Sequence, residues 1–153
     1  MQLSSRLSRL VATGDSLAPL CLRLALGVMM FPHGAQKLFG WFGGFGFNGS
    51  MGYFTGSVGL PWIVGALVIV GEFFGSVMLI AGLGTRFAAG SLAVIMAGAA
   101  WQCRVNGFFM NWFGNQKGEG LEFFLLAIGI AGALVITGGG QWSVDSRLAA
   151  TGK

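Results

Sequence analysis

Polar positions are sparse along this chain, and between them lie four long apolar runs, at about 17–39, 61–83, 85–103 and 120–138. Each has 19–23 residues. At about 1.5 Å rise per residue, that length covers the roughly 30 Å hydrocarbon layer of a bilayer. In lipid a backbone must satisfy its own hydrogen bonds, so the runs predict helices. The expected fold is all-α: a polytopic membrane protein, a four-transmembrane-helix bundle. Pro32 lies inside the first run, where it is expected to kink the helix or cap its last turn beside His33.

The links differ in kind. Only GLGTR, residues 82–86, stands between the second and third runs, which predicts a tight helical hairpin. Residues 40–60 and 104–119 form two longer links, rich in glycine and aromatic residues, on the same side of the bundle. Their rings, Trp41, Phe42, Phe45, Tyr53, Phe108 and Trp112 among them, suit the headgroup layer and can cap one end of the bundle. The expected organisation is a cytoplasmic segment at 1–16, a transmembrane domain at 17–140 and a cytoplasmic tail at 141–153.

Composition agrees with lipid as the solvent. Charged residues make up 9% of the chain and apolar ones 54%, with a mean hydropathy of +0.74. A soluble domain carries about 25% charged residues. The net charge of +4 comes from nine scattered Lys and Arg rather than a basic cluster, which argues against nucleic acid as a partner. Arg6, Arg9, Arg86, Arg147 and Lys153 fall on one side, and Arg104 and Lys117 on the other, with Lys37 at its rim. The positive-inside rule then puts both termini in the cytoplasm, the aromatic loops outside, and the protein in the cytoplasmic (inner) membrane. The first twelve residues are polar and basic, and Arg23 interrupts the first apolar run, so that run is expected to be a retained span rather than a signal peptide. Cys21 and Cys103 match no metal or redox spacing and are expected near opposite faces as buried structural thiols. Glycine is abundant, 28 residues in all, and Gly71-Glu-Phe-Phe-Gly75 forms a GxxxG pattern. Close packing within the chain is the plainer reading of it, and contact with another subunit the sharper one.

Candidate chemistry rests on ionisable groups in or at the rims of the runs: Arg23, His33, Lys37, Glu72 and Glu122. A charge at mid-bilayer costs roughly 2.5–3.5 kcal/mol on insertion scales, so such groups usually face a bundle interior and find partners. At 100° per residue, Lys37 returns to within about 40° of Arg23, and His33 lies about 40° from Lys37. One face of the first helix therefore carries three cations. Glu72 falls near mid-membrane in the second run and is either protonated or paired, with Arg23 or His33 as the expected partner. A single histidine cannot give bis-His haem ligation within one chain, so neither a haem nor a metal site is evident. Its better uses are a hydrogen bond to a carbonyl or a proton relay. Glu119 and Glu122 open the fourth run, where the helix dipole favours acids. Glu122 is in reach of His33, Lys37 or Arg104, and Gln102 and Asn106 add polar capacity there. The chain has no Ser/His/Asp set, phosphate loop or HExxH pattern.

These residues resemble the DoxX family. Arg23 followed by PHGAQKLFG is similar to its opening helix, GLPW…GEFFG to its second segment, and GLGTR to its hairpin. Glu122 with TGGGQWSVD at 137–145 is similar to its closing stretch. The resemblance implies a four-helix integral membrane protein linked to quinone-coupled redox complexes. On that reading His33, Glu72 and Glu122 carry the chemistry, Arg23, Lys37, Trp41 and Arg104 contact a quinone, and electrons come from a partner. The alternative is a structural accessory subunit of a larger respiratory or photosynthetic complex, joined to other membrane subunits or to copies of itself. A small transporter ranks last, for want of an internal repeat.

Overall fold

A computed structural model describes residues 13, 14 and 16–151. Arg6, Arg9, Lys153 and most of the expected segment 1–16 lie outside the described residues. The described residues contain no strand. The elements are α1 (Ala18–Phe39), α2 (Gly46–Gly52), α3 (Trp62–Ala81), α4 (Thr85–Cys103), α5 (Glu122–Thr137) and α6 (Val144–Thr151). A π-turn at Tyr53–Ser57 extends α2. The four long helices begin and end within two residues of the expected runs. Pro32 does not end α1, which continues to Phe39 and stops at Gly40, a left-handed residue at φ 76°.

The long helices pack as a ring. α1 lies on α3, α3 on α4, α4 on α5, and α5 returns to α1. Leu26, Met30, Leu79, Leu92, Met96 and Leu134 fill the centre. Val28, Leu67, Phe87, Leu126 and Ile136 point outward and are exposed. Among the described residues two helices, α1 and α3, are long and apolar enough to cross a membrane. The apolar runs of the sequence predict four. α5 has 16 residues, about 24 Å of helix, and α4 carries Thr85, Arg86, Ser91 and Gln102 among many small residues.

Glycine sets the closest contact. A Cβ on Gly34 would stand 2.6 Å from the backbone of Phe73, and one on Gly27 2.9 Å from Ile80. α1 and α3 therefore cross backbone to backbone, two turns of α1 sharing one seam. The GxxxG pair faces inward: Gly71 meets Ile95 and Gly75 meets Leu92, so it packs α3 on α4 within the chain. Gly34→Ala should cost about 1–3 kcal/mol, since overpacking a tight contact forces backbone shifts. Thermal unfolding in detergent checks this, and a smaller change than for Gly98→Ala, where a Cβ meets nothing within 4 Å, would contradict it.

The end of the bundle with the α3–α4 turn, the hairpin end, is closed by a polar clasp. Arg23 is 2% exposed. Its guanidinium donates to five carbonyls: Gly139 (3.0 Å), Leu79 (3.2 Å), Ile80 (2.5 Å), Gln141 (3.4 Å) and Trp142 (3.0 Å). Ile80 carries one of the carbonyls that a helix end leaves without an intrahelical partner, and Leu79 O shares the guanidinium with the Gly82 N–H (3.1 Å), both at the negative end of the helix dipole. Asp145 is 1% exposed and accepts from the backbone N–H groups of Gly84 (2.7 Å) and Thr85 (2.8 Å). It thereby caps α4 from a distant part of the chain. Its own N–H donates to Gly82 O at 2.9 Å. Gly82 sits at φ 68° with Ser143 where a Cβ would be, 2.5 Å away, so glycine is required there on both counts. Arg86 closes α5 in the same way, donating to Ile136 O at 2.7 Å and to Val135 O. Residues 139–145 are therefore part of the bundle's end.

Candidate functional site

At the opposite, loop end the ring opens into a cavity of about 570 Å³. Its walls are mostly apolar, and its polar groups include His33, Lys37, Glu72, Gln102 and Glu119. The Gly34–Phe73 crossing is what assembles the first three. The register that sets Gly34 against Phe73 and Gly27 against Ile80 puts Lys37 opposite Val70. Side chains on a helix lean toward its N-terminus. On antiparallel helices, Lys37 leans from the loop end toward Glu72, and Glu72 leans back toward Lys37. Lys37 Nζ meets Glu72 Oε2 at 2.6 Å.

This corrects the expected partner of Glu72, which is Lys37 and neither Arg23 nor His33. Arg23 falls opposite the α3–α4 turn in the same register and leans further that way, into the clasp. The Glu72 side chain is 5% exposed and that of Lys37 29%, so the acid is enclosed and the base reaches out. His33 opens into the cavity, its ring centroid 6.2 Å from that of Phe123. Among the described residues the imidazole has no hydrogen-bond partner.

Other expected site residues fall elsewhere. Glu122 does not line the cavity and meets none of His33, Lys37 and Arg104. Its Oε1 accepts from Trp112 Nε1 at 3.1 Å. Glu119 reaches the cavity wall while its Oε2 accepts from the Asn111 N–H at 2.9 Å. Arg104 lies 3.9 Å over the Trp101 ring and donates to the Trp101 carbonyl. Trp41 packs beside Phe39 at 5.1 Å between centroids and is half exposed. The aromatic loops do not form a closed cap: Phe45 and Phe113 are 88% and 90% exposed. Tyr53, Phe54 and Met110 are the loop residues that border the cavity with Val58, Leu60 and Glu119. Cys103 lines it as well; both cysteines are free thiols, and neither is buried as expected, Cys21 being exposed and Cys103 partly so. No three His, Cys, Asp or Glu side chains come together as a metal site among the described residues.

A helical bundle with an apolar exterior and an ion pair held inside one end defines a membrane-embedded protein with an internal polar site. The family model for DoxX matches residues 18–105, more than half of the chain, and the protein belongs to the DoxX family. The matched stretch holds α1, α3 and α4, with His33, Lys37 and Glu72; Glu122 and the 137–145 stretch lie beyond it. A Bacillus subtilis (strain 168) protein named "Putative oxidoreductase CatD" is 29% identical over 126 residues, covering 82% of this chain and 83% of that relative. No solved structure matches.

Proposed function

We propose that this protein is a DoxX membrane subunit of a redox complex and that its loop-end cavity holds a quinone ring. One observation carries the reading: a mostly apolar cavity of about 570 Å³ presents an unpartnered imidazole and a lysine–glutamate pair on one wall. Apolar clefts of this size with a few convergent polar groups are usual for flat organic ligands. His33 and the remaining N–H groups of Lys37 can donate to a ring carbonyl, and Glu72 can accept a proton from a ring hydroxyl. The name of the Bacillus subtilis relative supports an oxidoreductase setting. A bound quinone would take and give electrons, and the protein's own residues would bind it, exclude water and handle its protons. In this reading α4 and α5 also cross the membrane, completing four spans. The loop end lies outside the cytoplasmic membrane, and both termini lie inside.

The test is purification in mild detergent, with organic extraction for quinones and mass spectrometry for copurifying subunits. Near-stoichiometric quinone is the expected result. His33→Ala and Glu72→Gln should each reduce retention about tenfold or more, the loss of one hydrogen bond to a polar or charged group. A large complex with no quinone on this subunit would favour the accessory reading, with the ion pair serving only to hold α1 on α3.

A further inference from the structure

A second cavity, of about 490 Å³, lies beside the first in the loop segment. Gly43, Gly44, Gly49 and Ser50 line it, and its wall is shared with the central cavity at Lys37, Tyr53 and Phe54. Lys37 is the charged group that borders both. Its side chain is partly exposed while that of Glu72, in the ion pair, is almost wholly enclosed. A buried carboxylate that carries charge at membrane depth needs a cation, and a cation there needs hydration or a second partner. α2 and the π-turn after it leave room for water on the loop side of Lys37, where Gln36 and Ser50 supply polar side chains.

We propose that this loop cavity is a hydrated vestibule, through which the Lys37–Glu72 pair exchanges protons with the aqueous phase at the loop end. The other titratable groups facing the pair are His33 from α1 and Tyr53 from the π-turn, with Cys103 and Glu119 on the far walls of the central cavity. A proton reaching Glu72 forms an O–H bond and releases Lys37 from the pair. Lys37 then turns toward the vestibule, where one ammonium N–H bond breaks and a vestibule water accepts the proton as hydronium. The neutral amine swings back and takes the proton from Glu72, the O–H bond breaking as the N–H bond forms, which restores the ion pair. The route needs the ion pair and the second cavity. It does not need a quinone, so the two readings fail separately.

Thiol accessibility tests it in nanodiscs, where both faces meet the reagent. In a Cys21→Ser/Cys103→Ser background, Lys37→Cys is combined with Glu72→Gln, so that no carboxylate is left unpaired. Ser50→Cys marks the vestibule wall, and Val68→Cys marks the central cavity alone. The reagent is a cationic methanethiosulfonate, which reacts with hydrated thiolate. The Lys37→Cys thiol should react within about tenfold of the Ser50→Cys rate and about a hundredfold faster than Val68→Cys. Gln36→Trp or Ser50→Phe, filling the vestibule, should slow the Lys37→Cys reaction about tenfold. A Lys37→Cys thiol as slow as Val68→Cys would overturn the proposal. So would a fast reaction that neither filling substitution slows, because water would then arrive by another path.

Discussion

Arg23→Met should lower the stability of the folded bundle by about 3–5 kcal/mol, the range for breaking a buried charged network. The five carbonyls around Arg23 come from two parts of the chain far apart in sequence: the end of α3 and the turn at 139–142. Methionine fills much of the same volume and supplies no donor, so these oxygens lose the guanidinium in an enclosed site, although Leu79 O keeps the Gly82 N–H. Arg23→Lys should recover little, because an ammonium has three donors on a single point and cannot reproduce the planar fork. Asp145→Ala should act at the same end, exposing the N–H groups of Gly84 and Thr85, at about 1–2 kcal/mol for the lost cap. Thermal unfolding in detergent reads all three. A loss below about 1 kcal/mol for Arg23→Met would mean that water replaces the guanidinium. The folded fraction of each variant should keep its cavity ligand, since the clasp lies at the other end of the bundle. Diminished ligand retention would instead return Arg23 to the binding role expected from sequence.

The clasp also marks the limit of what the chain reveals before it is folded. Helix ends were legible because length and apolarity are local properties, as at Thr85–Cys103, where the expected and observed bounds coincide. The inward face of α1 was legible too, since Arg23, His33 and Lys37 share a stripe by periodicity alone. Level along the axis was not. Which cation meets Glu72 depends on the register of α1 against α3, and two glycines with no chemistry of their own, Gly27 and Gly34, set that register. The lean of side chains toward each N-terminus then sends Arg23 away from Glu72 and Lys37 toward it. Asp145 stands out in the sequence only as the last residue of the TGGGQWSVD stretch. Its role as a cap for α4 comes from a contact across 60 residues, which no local pattern announces. A faint signal does exist in Ser143, whose hydroxyl accepts from the Ser146 N–H at 3.0 Å as an ordinary helix start.

The ion pair should answer unequally to the loss of its two members. Lys37→Met leaves the Glu72 carboxylate enclosed with no cation, and should cost about 3 kcal/mol at neutral pH. Glu72 then either carries that cost or takes up a proton. Glu72→Gln leaves Lys37 with an amide oxygen as acceptor and an exit toward the loop cavity, so the cost should be about 1 kcal/mol. The double variant Lys37→Met/Glu72→Gln should be more stable than Lys37→Met alone, because it removes the stranded charge. In a double-mutant cycle this appears as a coupling of about 1–3 kcal/mol, the size expected of groups in direct contact. Stability measured across pH separates the causes. Acidification should relieve Lys37→Met, whose defect is an ionised carboxylate, and should leave the double variant's penalty unchanged. Equal costs for the two single variants, with no coupling between them, would mean that the 2.6 Å contact contributes nothing to the fold. Strong coupling with an unequal split would show that α1 and α3 are held together where the cavity opens. The same pair would then fix the wall against which a ligand binds, so that the helix seam and the site fail together when Lys37 is lost.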